Sequence, residues 1–190
     1  MLTGKKYLLR RNILNFIHKK FTIFDDTNQE VLFSKRHGLK LKADIKVYSD
    51  SCMNAEIIAI KARNFIDFAA TYDVKCSVSD IKIGALRRKG LVSTFGRDTW
   101  IILDTNDNEI GQIIEDNLFN AVLRKFLLGW LFPQAYDVTV GLDTVGHYKR
   151  NFNPFVHKTE VEFKAENNVF DRRLGMAAAI LLCTIEGKQN

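Results

Sequence analysis

The stretch near the end of the sequence, DRRLGMAAAILLCTIEG (Asp171 to Gly187), constrains the fold more than any other part. From Leu174 to Ile185 it holds 12 residues without a charge. As a helix these span roughly 18 Å, too short for the ~30 Å hydrocarbon core of a membrane. Asp171 is a suitable N-cap, and Gly187 is typical of a helix C-terminus. Because a helix that is apolar on all sides must be buried, the rest of the chain is expected to surround it.

A hairpin pattern recurs along the chain: an alternating apolar strand, a short polar turn and a second alternating strand. Its copies begin at residues 21, 45, 72, 100 and 136, which gives spacings of 24, 27, 28 and 36 residues. In KTEVEFK, Val161 and Phe163 share one face, and in IKIGALRR the pattern predicts an apolar face of Ile81, Ile83 and Ala85. A nearly constant period of this kind indicates an array of antiparallel hairpins.

The alternating runs predict about a dozen strands. So many hairpin-linked strands curl rather than form one open sheet, and closure into a barrel removes the exposed edges. Side chains alone fill a barrel of only about eight strands, so a wider one needs a plug. We therefore predict a mainly β fold, a closed barrel of about 12 antiparallel strands around the Asp171 to Gly187 helix. The predicted strands are 5–11, 20–26, 29–37, 43–49, 55–61, 69–77, 80–88, 98–105, 108–115, 135–140, 143–150 and 156–163.

Several short motifs resemble those of a known superfamily. They are GALRRKGL (84–91), RDTWIILD (97–104), EIGQIIED (109–116), FNPF (152–155) and the closing helix. In this order they are similar to the tubby C-terminal superfamily, and the chain resembles a bacterial-type LURP-one-related or phospholipid scramblase-like member over residues 1–190 as one domain. The resemblance implies a twelve-stranded barrel around a central hydrophobic helix. It also implies lipid handling, since tubby domains bind phosphoinositide head groups through basic side chains and scramblases act on membranes.

Positive charge is concentrated in the first quarter of the chain. Residues 1–50 hold 11 Lys/Arg and 5 Asp/Glu, whereas residues 51–190 hold 17 of each, so the whole excess of +6 lies in the first 50 residues. Such a region serves nucleic acid, an anionic membrane surface or an acidic partner, or it is only a solvated face. With the RRK run that ends one strand, it gives a candidate polyanion site of Lys35, Arg36, Lys40, Lys42, Arg87, Arg88 and Lys89.

The segment from Asn117 to Gln134 interrupts the hairpin period. Interpreted as an extra short helix that ends at Pro133, it has a broad apolar face. One interpretation packs this face on the outer wall or the mouth of the barrel. The other exposes it to a membrane or a protein partner, through Arg124, Lys125, Phe126, Trp130 and Leu131.

Metal, cofactor and catalytic motifs are weak in this sequence. DTNDNEIGQIIE (Asp104 to Glu115) has the oxygen spacing of a calcium loop, but Glu109 stands where that loop needs glycine, and a hairpin turn explains the same letters. Cys52, Cys76 and Cys183 are widely spaced, which favours free thiols over a disulfide framework or a zinc site. The four histidines are scattered. We expect no bound metal, no cofactor and no enzymatic activity.

The function expected from the sequence is binding, most of all to anionic lipid, either phosphoinositide or phospholipid, at a membrane surface. A protein-interaction scaffold is one alternative, and small-molecule binding or catalysis in a residual barrel pocket is another. Arg10 and Arg11 interrupt the apolar residues at the start of the chain, so no signal peptide is predicted. We therefore expect a cytoplasmic protein, peripheral at the membrane, with no transmembrane span and no nucleic-acid partner.

Overall fold

Hairpin-linked strands and one helix make up the computed structural model. It describes residues 2–11, 20–37, 44–63, 70–89, 99–115, 134–151, 157–164 and 170–185. The strands are β1 (Lys6–Arg11), β2 (Lys20–Asp25), β3 (Glu30–His37), β4 (Asp44–Tyr48), β5 (Glu56–Ala62), β6 (Thr71–Cys76), β7 (Ile81–Arg88), β8 (Thr99–Leu103), β9 (Glu109–Glu115), β10 (Ala135–Val140), β11 (Asp143–Arg150) and β12 (Lys158–Phe163). The helix is α1 (Arg172–Ile185).

The strands form a closed antiparallel barrel in chain order. Each strand pairs with the next, and β1 closes the barrel against β12, with Tyr7 opposite Val161. The five predicted hairpins correspond to β2–β3, β4–β5, β6–β7, β8–β9 and β10–β11. Closure leaves none of the 12 described strands with an unpaired edge. The predicted barrel of a dozen strands is therefore confirmed.

Alternation along the strands separates an inner from an outer face. In β12, Val161 and Phe163 are buried while Glu160 and Glu162 are exposed, as predicted. In β7 the prediction was wrong: Ile81 is 64% exposed, and a Cβ added to Gly84 would lie 2.9 Å from a Leu174 methyl of α1, so Gly84 faces the helix. Ala85 instead packs with Ile101 and Leu103 in a separate buried cluster. Because both faces of β7 carry buried residues, the pattern of apolar residues in the sequence did not identify the inner face.

Helix α1 fills the barrel, as its uncharged sequence predicted. Ten of its residues are buried, on all sides of the helix. Asp171 caps its N-terminus, where Oδ1 accepts a hydrogen bond from the Arg173 amide at 2.8 Å. A Cβ on Gly175 would lie 2.6 Å from the Phe163 ring, so only glycine allows this approach. The hydroxyl of Tyr148 donates to the Gly175 carbonyl at 2.8 Å, which ties the helix to the wall.

Aspartates shape two of the hairpin turns in the same way. Asp25 Oδ1 accepts from the amides of Thr27 and Gln29, and Asp104 Oδ1 accepts from the amides of Asn106 and Asn108. Each turn also has one residue at positive φ, Asn28 or Asp107. Since the carboxylate of Asp104 is engaged by its own turn, the calcium-like spacing of 104–115 is explained by turn geometry.

The predicted extra helix from Asn117 to Gln134 lies outside the described residues, except for Gln134. Its proposed surface residues Arg124, Lys125, Phe126, Trp130 and Leu131 all fall in that part of the chain. Among the described residues, no helix is both long enough and apolar enough to cross a membrane.

Candidate anion-binding site

Four arginines point into one end of the barrel. Odd-numbered strands finish there and even-numbered strands begin, because neighbouring strands are antiparallel. Arg11 follows the buried Leu9 by two residues and Arg150 follows the buried Tyr148, so both lie on the inner face. Arg36 pairs with the fully buried Ile45, and Arg88 pairs with the buried Trp100. We name this group, Arg11, Arg36, Arg88 and Arg150, the arginine mouth.

The arginine mouth carries a local excess of positive charge. Its residues come from β1, β3, β7 and β11, at the last inward position of each strand. The corresponding position of β9 is Glu115, which is 1% exposed. Among the described residues of this layer, four guanidinium groups against one carboxylate leave a net charge of +3. The inner layer on the even strands is aromatic or uncharged, with Trp100, Tyr136 and Thr159.

Three buried N–H groups of this layer have no acceptor among the described residues. They are Nε of Arg11, Nε of Arg36 and Nε1 of Trp100. Most buried donors in proteins are hydrogen-bonded, and leaving one unsatisfied costs about 1–3 kcal/mol. Arg11 and Arg36 lie on strands two steps apart in the barrel, whereas Trp100 on β8 is five steps from β1 and from β3. The Nε groups of Arg11 and Arg36 are therefore the part of this layer that is suited to the oxygen atoms of one anion.

The electrostatics of Arg11 and Arg150 support the same conclusion. Burial, followed by repulsion from Arg150, lowers the pKa of Arg11. Arg150 donates to Oε1 of Gln134 at 3.1 Å and to Nδ1 of His157 at 3.0 Å, so both of these partners are uncharged acceptors. An anion would relieve this repulsion, and arginine is well suited to bind phosphate or carboxylate in a bidentate manner.

The C-terminal end of α1 lies at the arginine mouth. Its residues Leu182 and Cys183 line a small cleft of about 10 Å³ beside Arg150 and Thr159. That volume holds about one water molecule. The arginines of the mouth also interact favourably with the negative end of the helix dipole, so they help to stabilise the C-terminal end of α1 in the barrel.

The sequence-predicted polyanion site is divided by the structure. Arg36 and Arg88 belong to the arginine mouth, whereas Lys35 and Arg87 precede them in the strands and face outward. Lys89 is exposed after β7, and Lys40 and Lys42 lie outside the described residues. Strands β3 and β7 are four steps apart in the barrel, about 19 Å along the wall. Outward side chains on these strands therefore do not share one small ligand.

Arg11 and Arg150 were missed by the sequence analysis. The alternation of the strands could have identified them. In KYLLRR, Arg11 lies on the same strand face as Tyr7 and Leu9, and in GHYKR, Arg150 lies two residues after Tyr148 and so on the same face. A count of basic residues in each segment of the sequence could not find them, because such a count does not distinguish side chains that face into the barrel from neighbouring ones that face outward.

Outer-surface cations of the central strands are paired with carboxylates. Arg63 donates to Asp73 from Nε at 2.7 Å and to Asp107 from Nη2 at 2.6 Å, and Lys82 reaches Asp107 at 2.7 Å. Lys46 pairs with Glu56 at 2.8 Å. Exposed pairs of this kind contribute little to stability individually. They do neutralise the outer wall locally.

Asp107 gives a prediction for the pH dependence of stability. Hydrogen bonds from Arg63 and then Lys82 lower its pKa from 3.8 to about 2. Its stabilising effect is therefore complete above about pH 3.8 and is lost as the pH falls towards 2. We expect Asp107→Asn to be less stable than the wild type at pH 5, with a difference that shrinks between pH 4 and pH 2. Urea unfolding at pH 2–5 measures this, and a difference independent of pH would contradict it.

Metal and thiol chemistry have little support in the part of the chain that the structure describes. No group of three His, Cys, Asp or Glu residues there is arranged to hold a metal ion. Cys52, Cys76 and Cys183 are free cysteines, in agreement with the sequence. The Cys183 thiol lies 3.2 Å from the Thr159 hydroxyl.

Comparison with known proteins assigns no family to the chain. No family model matches it, and it matches neither a curated protein nor a solved structure. The fold and the site define a closed twelve-stranded antiparallel barrel with a central helix and a cationic mouth. The resemblance to the tubby C-terminal superfamily stays a prediction from the sequence motifs.

Proposed function

We propose that this protein is a non-enzymatic binding module that attaches to anionic phospholipid head groups through the arginine mouth. The observation that carries the proposal is the pair of buried Nε–H donors of Arg11 and Arg36, which have no acceptor among the described residues, in a layer where those residues hold four arginines and one carboxylate. Phosphate oxygens satisfy such donors, and arginine binds them through two parallel hydrogen bonds.

The shape of the mouth favours a head group at a membrane surface. Because α1 fills the barrel and the cleft beside Arg150 measures only about 10 Å³, a ligand at this end stays at the surface. The superfamily resemblance implies the same ligand class, phosphoinositide or phospholipid. We accordingly propose a cytoplasmic protein that is peripheral at the membrane, with the basic first quarter of the chain contributing to attraction.

Vesicle binding tests this function. Vesicles of phosphatidylcholine alone should bind weakly, and vesicles that also contain phosphatidylserine or a phosphoinositide should bind strongly at low salt. Raising the salt should weaken binding, since the screening length falls to about 3 Å at 1 M ionic strength. Co-sedimentation measures the bound fraction.

A duplex oligonucleotide of matched charge serves as the control polyanion, with weaker binding expected. Equal binding to the oligonucleotide and to anionic vesicles would mean attraction to charge in general. Absence of binding to anionic vesicles at low salt would reject the lipid proposal and favour a protein-interaction scaffold.

A further inference from the structure

A second candidate site lies at the other end of the barrel. It is a cavity of about 410 Å³ where α1 begins, within the size range of small-molecule pockets. Its floor is formed by Tyr7, Leu32 and Ile58, all buried. Val31 and Ile57 add partly buried apolar surface. The apolar part of a ligand could therefore pack in this cavity against the barrel core.

One wall of the cavity is held in place by Arg172. The N-terminal segment Leu2 to Gly4 lines the cavity, and Arg172 Nη1 donates to the carbonyls of Thr3 at 2.7 Å and Gly4 at 3.0 Å. The same guanidinium lies 6.0 Å from the centre of the Phe163 ring. A wall fixed by several contacts gives a preformed pocket, which lowers the ordering cost of binding.

Negative charge lies at the rim of the cavity. Asp25 and Asp26 both line it. The hydroxyl of Thr27, followed by the amide of Gln29, lowers the pKa of Asp25, so that carboxylate is ionised at neutral pH. Arg173 also lines the cavity, but its charge is matched by Asp171, at 2.6 Å. Arg172 on the wall offsets part of the negative charge, but two carboxylates against one unmatched guanidinium leave the described residues around the cavity with a net negative charge.

We propose that this cavity binds a small molecule with an apolar body and one cationic amine group. The body lies on Tyr7, Leu32 and Ile58, and the ammonium group lies beside Asp25 and Asp26. A carboxylate on the same body is disfavoured because it would face two carboxylates. This site is at the end opposite the arginine mouth and takes a ligand of opposite charge, so it is independent of the proposed function.

Three probes that share one chain test the charge preference: octylamine, octanol and octanoate at pH 7. The full chain carries isotope-labelled Leu and Ile methyl groups, and NMR follows the signals of Leu32 and Ile58 during each titration. We expect octylamine to shift these signals and to bind about tenfold more tightly than octanoate, with octanol between them, because the carboxylates of the rim attract an ammonium group and repel a carboxylate. Equal or tighter binding of octanoate would overturn the proposal.

Variants locate the interaction. Asp26→Asn and Asp25→Asn should reduce the preference for octylamine over octanoate, while Asp143→Asn, an exposed carboxylate that does not line the cavity, should leave it unchanged. Val31→Trp should fill the cavity and abolish the shifts of all three probes. The proposal is overturned if the Leu32 and Ile58 signals respond to none of the probes, or if Asp143→Asn alters the preference as much as Asp26→Asn.

Discussion

Replacing Ala178 by aspartate should largely unfold the protein. Ala178 is 2% exposed in the middle of α1, where a carboxylate would lie inside the barrel without a cationic partner among the described residues. Such an unpaired buried charge costs about 3–5 kcal/mol, a large part of the roughly 5–15 kcal/mol that stabilises a typical domain. Urea unfolding or a thermal melt followed by circular dichroism measures the loss.

The matched control places the same charge outside the barrel. Leu142, in the β10–β11 turn, is 104% exposed, so Leu142→Asp should change stability by no more than about 0.5 kcal/mol. Deletion of residues 171–190 should be more severe than Ala178→Asp, because it exposes the inner faces of the strands. A soluble deletion variant with a cooperative melt would contradict the role of α1 as the core of the barrel.

Removing the four inward arginines should abolish most binding to anionic vesicles. Each basic side chain near an anionic leaflet contributes about 1 kcal/mol, so replacing the four by glutamine should weaken binding by about 10³-fold. The matched control replaces basic residues that directly precede them and face outward, namely Arg10, Lys35, Arg87 and Lys149. This control removes the same four charges without removing an inward-facing guanidinium fork, so it should weaken binding clearly less than the inward set does.

The comparison separates a site from diffuse charge. Equal losses from the inward and outward sets would contradict the arginine mouth. Because the inward arginines also interact with the end of α1, circular dichroism must first confirm that the variant is folded. Arg36→Lys provides a milder test: it keeps the charge, loses the planar fork that binds phosphate in a bidentate manner, and should weaken binding with little change in the melting temperature.

Much of the fold could be predicted because the chain repeats one simple unit. The predicted strands 135–140 and 143–150 have the same bounds as β10 and β11, since the turn at Gly141, which has a positive φ, separates two alternating runs. The central helix could be predicted because it is too short to span a membrane and its uncharged residues leave no face suited to solvent. Which residues of a strand face the barrel interior was harder to predict. Strand β7 is buried on both faces, and its pairing with β6 has an irregularity after Val74. Alternation alone therefore did not determine which of its residues face α1.

The candidate site was only partly predictable because it depends on which way each basic residue points. Lys35 and Arg36 are adjacent in sequence and equal in charge, yet only Arg36 faces α1. Arg11 and Arg150 belong to strands at separate ends of the chain, and only closure of β1 against β12 brings them near each other. The cavity beside Tyr7 likewise depends on the N-terminal segment meeting Arg172, a contact between residues more than 160 positions apart.

NMR of the arginine Nε–H groups tests the central claim most directly. The probe is inositol trisphosphate, a soluble phosphate head group, titrated into ¹⁵N-labelled protein. Since Nε of Arg11 and Nε of Arg36 have no acceptor among the described residues, a phosphate oxygen that binds them should shift both signals strongly downfield, while Arg10 and Arg87 change little. Unchanged Arg11 and Arg36 signals at saturating probe, or shifts confined to Arg10 and Arg87, would contradict the assignment of the arginine mouth as an anion-binding site.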